Sequence, residues 1–308
     1  MQIKANILLL IVTMFWGMSY MFMVMGLESL EVFNTVALRS LIAFILAGLI
    51  FYKWLKNVSR KVIFYGMIQG FFLVGAIGFP MIGVMTTPTA NAGFLVSLTV
   101  VLVPIITSII EKKTPSRTVC IAIMCTLIGI IILTVGSSFT FQVGEMFCLL
   151  TALSYSIYIV LNGIFTKSVH ALTFGIYQMG FATVISGIIC LLIESPQVPT
   201  TSSAWVAVLG LGILCSAFGF IGQTVAQQYT SPTHTGLIFS LEPIFASIFA
   251  ILFLGEELTI RLMVGGSLIF GGNLIAQLEQ YHHYRIVKDQ MYSSTNESLI
   301  YNKKTTSS

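Results

Sequence analysis

Charge is scarce in this sequence. Only 8% of its 308 residues are Asp, Glu, Lys or Arg, against about a quarter in an ordinary soluble domain. That scarcity excludes an aqueous surface. With 56% apolar residues and a mean hydropathy of +0.94, a water-soluble fold would lack the polar side chains to cover itself. Lipid as the surrounding solvent removes the difficulty, because apolar side chains then face outward.

Reactive clusters are missing as well. The five cysteines, Cys120, Cys125, Cys148, Cys190 and Cys215, all lie in apolar stretches without a C-x-x-C pair, so they read as small core residues rather than disulfides or zinc ligands. The four histidines, His170, His234, His282 and His283, sit in the tail or at span ends. There is no His-Glu-x-x-His and no phosphate-binding G-x-x-x-x-G-K-[ST]. Gly17-Met-Ser-Tyr only half-matches a Gly-x-Ser-x-Gly elbow. No catalytic residue, metal or cofactor is therefore expected, nor an ATP-driven pump. A membrane enzyme and a passive channel or sensor remain the alternative classes.

What is present is a succession of apolar runs of about 20 residues, the length that crosses a bilayer. Ten qualify, at 6–26, 34–52, 62–79, 88–110, 118–135, 145–164, 174–193, 204–226, 233–254 and 261–279. The first is too long for a signal-peptide core, and no small-x-small cleavage site follows it. Short polar connections join them, none long enough for a second domain. Thirteen of the fifteen basic residues, including Lys4, Lys53, Lys56, Lys112, Lys167 and Arg285, fall on one side. The opposite loops hold Glu28, Glu31, Glu145, Glu194, Glu256 and Glu257, with Arg261 as their basic residue. The bias places both termini in the cytoplasm of a multi-pass plasma-membrane protein. Basic residues spread over short inner loops suit anionic lipid heads, not nucleic acid.

The second half echoes the first. An offset of 144 pairs Gly66 with Gly210, Gly75 with Gly219, Gly78 with Gly222, Pro88 with Pro232, Thr89 with Thr233 and Arg117 with Arg261. Five spans per copy force the second copy to lie upside down relative to the first. The expected fold is an all-α polytopic membrane protein of ten transmembrane helices in two inverted five-helix repeats. Such repeats are a mark of secondary transporters, whose substrate site lies near the midplane between the halves.

Polar side chains inside spans point to that site. Glu242 lies near mid-membrane, where a carboxylate costs several kcal/mol unless it is paired, hydrated or protonated. It is read either as a proton- or amine-binding group or as a structural carboxyl beside the helix-bending Pro243. Arg39 is read either as a bidentate clamp for a substrate carboxylate or as an anchor that snorkels to the interface or pairs with Glu28 or Glu31. Trp16 and Tyr20 are one turn apart. So are Tyr65 and Gln69. Tyr155, Tyr158 and Asn162 share a face, as do Gln223 and Gln227. Asn91 stands just inside the fourth span, and Asn273 and Gln277 pair on the tenth. Hydrogen bonding between helices is the commoner role for any one of them. Together they suggest a cavity lined by aromatics and amides, with Trp16, Tyr20, Arg39, Gln69, Asn91, Tyr158, Gln223 and Glu242 as its substrate-binding set. Gly66-x-x-x-Gly70 and Ser267-x-x-x-Gly271 read as close-packing faces.

Thr86-Thr-Pro-Thr-Ala-Asn-Ala-Gly-Phe-Leu-Val-Ser-Leu98 and Ala37-Leu-Arg-Ser-Leu-Ile-Ala43 resemble the first repeat of the EamA family of the drug/metabolite transporter superfamily. Ser240-Leu-Glu-Pro-Ile-Phe-Ala246, followed by Leu252-Phe-Leu-Gly-Glu-Glu-Leu-Thr259, resembles the second. The resemblance implies one repeat over residues 1–137, another over 143–279 and a polar cytoplasmic tail over 280–308. It implies export of an amino acid, metabolite or drug-like compound by alternating access. The partners are then the substrate, the bilayer and a coupling proton, in a monomer or a homodimer.

Overall fold

The computed structural model describes residues 2–56, 58–110, 112, 117–134, 142–230, 232–239, 241–272, 274–275 and 278. The expected Asn273–Gln277 pair, Ser240 and the tail over 280–308 lie outside the described residues. Most of those described are helical, with no strand among them. In chain order the helices are α1 (Gln2–Leu27), α2 (Val32–Ile50), α3 (Arg60–Gly83), α4 (Thr89–Val96), α5 (Thr99–Ile110), α6 (Arg117–Thr134), α7 (Val143–Phe165) and α8 (Ala171–Ile193). Then follow α9 (Ser202–Leu209), a π-helix (Gly210–Phe220), α10 (Ile221–Ala226), α11 (Pro232–Phe239) and α12 (Glu242–Leu254). The last is α13 (Ile260–Gly272).

Seven helices are long and apolar enough to cross a membrane. The fifth, ninth and tenth expected spans coincide with shorter apolar helices, Cys120–Gly129, Glu242–Leu254 and Ile260–Gly272. A total of ten requires these three to cross too. Outward faces suit lipid: Leu49, Leu191 and Ile193 are each at least 70% exposed, which water would not tolerate in such number.

Local chemistry sets the helix ends. The Ser59 and Thr201 hydroxyls accept from Val62 N and Ala204 N, satisfying amides that a helix start leaves free. Glu145 Oε2 accepts from Gln142 N at 3.0 Å at the start of α7. Proline explains one interruption. Pro243 has no N–H for the carbonyl four residues back, and its ring clashes there; that residue, Phe239, is the last of α11. The matching interruption between α4 and α5 contains no proline. There Ser97 Oγ donates to Phe94 O at 2.6 Å and Thr99 Oγ1 to Val96 O at 2.7 Å, drawing these carbonyls into local turns.

The most extensive packing joins the two halves of the chain: α3 lies along α7 and α8, and α2 lies along α8. Glycine permits the approach. A Cβ on Gly70 would stand 2.7 Å from Phe181 Cβ, and one on Gly66 3.2 Å from Tyr177 Cβ, so Gly66-x-x-x-Gly70 is a packing face, with α8 as its partner. The expectation for Ser267-x-x-x-Gly271 is corrected. Nothing lies within 4 Å of a Cβ on Gly271, whereas one on Gly272 would meet Ala122 O at 2.7 Å. The close approach to α6 is therefore one residue further along.

Loops gather at two ends. The Trp54 ring stacks on His170 at 4.6 Å, which brings the loops of Lys53, Lys56 and Lys167 together. At the other end Glu194 accepts from Phe33 N at 2.9 Å and Asn34 N at 2.7 Å. Glu256 accepts from Thr89 N at 2.7 Å and Ala90 N at 3.1 Å.

Candidate functional site

The interruption at Phe239 puts Glu242 at the first residue of α12 rather than in a helix interior. Its carboxylate faces a cavity bounded by α1, α2, α3, α4, α7, α12 and the π-helix. Tyr20 donates its hydroxyl to Glu242 Oε1 at 3.4 Å. The cavity volume is about 40 Å³, room for about three waters at ~10–15 Å³ each. A metabolite-sized ligand needs several hundred cubic ångströms, so the bundle must open to admit one.

Arg39 forms the opposite charge in the same wall. It is 1% exposed. Its Nε donates to Ser216 Oγ at 2.9 Å, while Nη1 has no hydrogen-bond partner among the described residues, and no carboxylate pairs with it there. The snorkelling and Glu28/Glu31 readings are thereby overturned. Glu31 instead accepts from Ser195 N at 3.2 Å. Burying a guanidinium costs several kcal/mol that a single hydroxyl does not offset.

The π-helix sets the remaining wall. Wide turns expose carbonyls, and Cys215 O accepts from Trp16 Nε1 at 3.0 Å. Trp16 then packs edge-on to Tyr155, with centroids 5.6 Å apart, and against Phe220 at 4.8 Å and Phe239 at 4.9 Å. This aromatic box adjoins Glu242 and suits the apolar body of an organic molecule or a cationic nitrogen.

Trp16, Tyr20, Arg39 and Glu242 of the expected set line the cavity. Gln69, Tyr158 and Gln223 are fully buried outside its lining. Gln69 Nε2 donates to Tyr158 O at 2.8 Å. The Tyr155 hydroxyl donates to Gln223 Oε1 at 3.5 Å, and Gln223 Nε2 to Gln227 Oε1 at 3.3 Å. Asn162 Nδ2 also donates to Gln227 Oε1. These residues tie helices together. Asn91 is half-buried in the first turn of α4, apart from both groups. Sequence reasoning left Ser19, Thr151, Tyr155 and Phe220 out of the set. Tyr155 had a signal, its shared face with Tyr158; the others had none. Among the described residues no three His, Cys, Asp or Glu side chains gather as metal ligands.

The EamA-like transporter family model matches the chain twice, over residues 3–135 and 142–277. The chain belongs to the EamA-like transporter family. An uncharacterized transporter of Archaeoglobus fulgidus is 25% identical over 90% of this chain and 87% of its own length. The uncharacterized transporter YoaV of Bacillus subtilis is 22% identical over 88% and 96%. A solved protein crystal structure superposes with a TM-score of 0.67 over 90% of this chain and 98% of its own, at 19% identity, a likeness of fold alone. This EamA-like chain is thus an integral, multi-pass membrane transporter. Its two family matches meet across the cavity: α1 to α4 come from the first, and α7, the π-helix and α12 from the second.

Proposed function

We propose that this chain is a secondary transporter of the plasma membrane, with both termini cytoplasmic, that exports a small organic molecule by alternating access through the cavity. One observation carries the reading: a buried guanidinium without a carboxylate partner among the described residues and a half-buried carboxylate share one cavity between the family's two matched segments. Arg39 binds a carboxylate of the substrate. Glu242 holds either a cationic nitrogen of the substrate or a proton, and this competition couples transport to the proton gradient. Inverted five-helix halves rock about the site and expose it to each side in turn.

Comparing metabolite pools in cells with and without the protein supplies the substrate, and counterflow in liposomes tests the mechanism. Saturable counterflow that weakens when the substrate loses its carboxylate is expected. Linear flux indicates a channel, product formation an enzyme, and either outcome overturns the reading. Glu242→Gln is expected to keep the fold while abolishing the dependence of counterflow on a pH gradient. Unchanged pH-gradient dependence removes Glu242 from the coupling.

A further inference from the structure

α12 runs from Glu242 in the cavity wall to Leu254, 13 residues or about 20 Å of rod at ~1.5 Å per residue. Gly255 follows in the left-handed conformation, φ +68°, where only glycine is at ease. This turn presents Glu256 to the start of α4, where its two oxygens take Thr89 N at 2.7 Å and Ala90 N at 3.1 Å. Two amides that a helix start leaves free are satisfied by one carboxylate at the positive end of the helix dipole. α4 is a lever of eight residues. One end is held by Glu256, the other ends at the interruption after Val96, and Val96 itself lines the cavity.

We propose that Glu256 is a latch that keeps the cavity shut towards the glutamate-bearing face, and that α12 links this latch to Glu242. The proposal rests on the alternating-access reading. The bond joins the family's two matched segments, so opening between them on that face must break it. Glu194 makes the same kind of bond to α2, but α2 and α8 pack along their lengths without interruption. α4, by contrast, ends at the interruption after Val96, which gives it a hinge.

Cys148 reports the opening without a known substrate. It is fully buried, one turn from the cavity-lining Thr151 on the same face of α7. In full-length protein with Cys120, Cys125, Cys190 and Cys215 replaced by alanine, a membrane-impermeant maleimide is applied to right-side-out vesicles. Glu256→Gln is expected to raise the labelling rate of Cys148 at least tenfold, with Glu257→Gln unchanged. Thr89→Pro removes one donor while leaving a residue tolerated at a helix start, and should raise the rate at least threefold. Rates within twofold of the parent for both Glu256→Gln and Thr89→Pro overturn the latch, whatever counterflow shows. Raised rates without counterflow keep the latch and remove the transport reading.

Discussion

Arg39 carries a cost that its surroundings do not repay. A surface arginine spends nothing on desolvation, whereas this one gives up its water for one serine hydroxyl at 2.9 Å. Replacing buried ionic groups by apolar ones of similar volume often stabilises a protein, by about 1–4 kcal/mol. Arg39→Met is therefore expected to unfold at an equal or higher temperature in detergent while losing substrate affinity. A charge-assisted bond worth ~1.5–3 kcal/mol corresponds to a rise in KM of about 10- to 100-fold. Arg39→Lys keeps the charge but not the planar fork and should recover only part of the affinity. An Arg39→Met protein that unfolds several degrees lower would make the guanidinium a structural group instead. Ser216, which aims it, was beyond the reach of sequence reading. The two residues are 177 positions apart, and no local pattern distinguishes a serine that accepts from an arginine from one that merely packs.

At the scale of elements, interruptions matter more than helices. Long apolar runs made the membrane spans legible, because hydrophobic length needs no tertiary information. The break before Glu242 was half legible: Pro243 announced a bend, but only the structure shows α11 stopping at Phe239, four residues back. The break after Val96 was not, since it comes from the Ser97 and Thr99 hydroxyls choosing carbonyls, a choice apolar periodicity does not record. The π-helix was equally hidden, because Gly210 to Phe220 reads as ordinary apolar helix. Pro243→Ala restores the missing N–H and should let α11 run into α12. We expect at least a tenfold fall in counterflow with no loss of thermal stability, since the substitution adds a helix bond as it turns the Glu242 carboxylate. Preserved counterflow would show that the break is incidental. Gly70→Ala tests packing instead. Its methyl would meet Phe181 Cβ at 2.7 Å and Ala182 N at 3.0 Å, and overpacking costs about 1–3 kcal/mol. The variant should unfold at a lower temperature in detergent, and an unchanged transition would mean that α3 and α8 separate cheaply.

For the whole molecule, the decisive property is sidedness. The largest helix contacts run between the two segments that each match the EamA-like family, so the cavity is a seam between them and not a pore within one. On the proposed count of five spans per segment, the second is inverted relative to the first. The loop after α2 and the loop after α7 then fall on the same face, as the stacking of Trp54 on His170 at 4.6 Å requires. Even segments would set the repeats parallel. Single cysteines at Lys56 and Lys167 are expected to react with an impermeant maleimide only in inside-out vesicles. Cysteines at Glu28 and Glu257 should react only in right-side-out ones. Labelling of positions 56 and 167 from opposite sides would put an odd number of crossings between the loop after α2 and the loop after α7, and the two matched segments could then no longer exchange conformations across a common midplane.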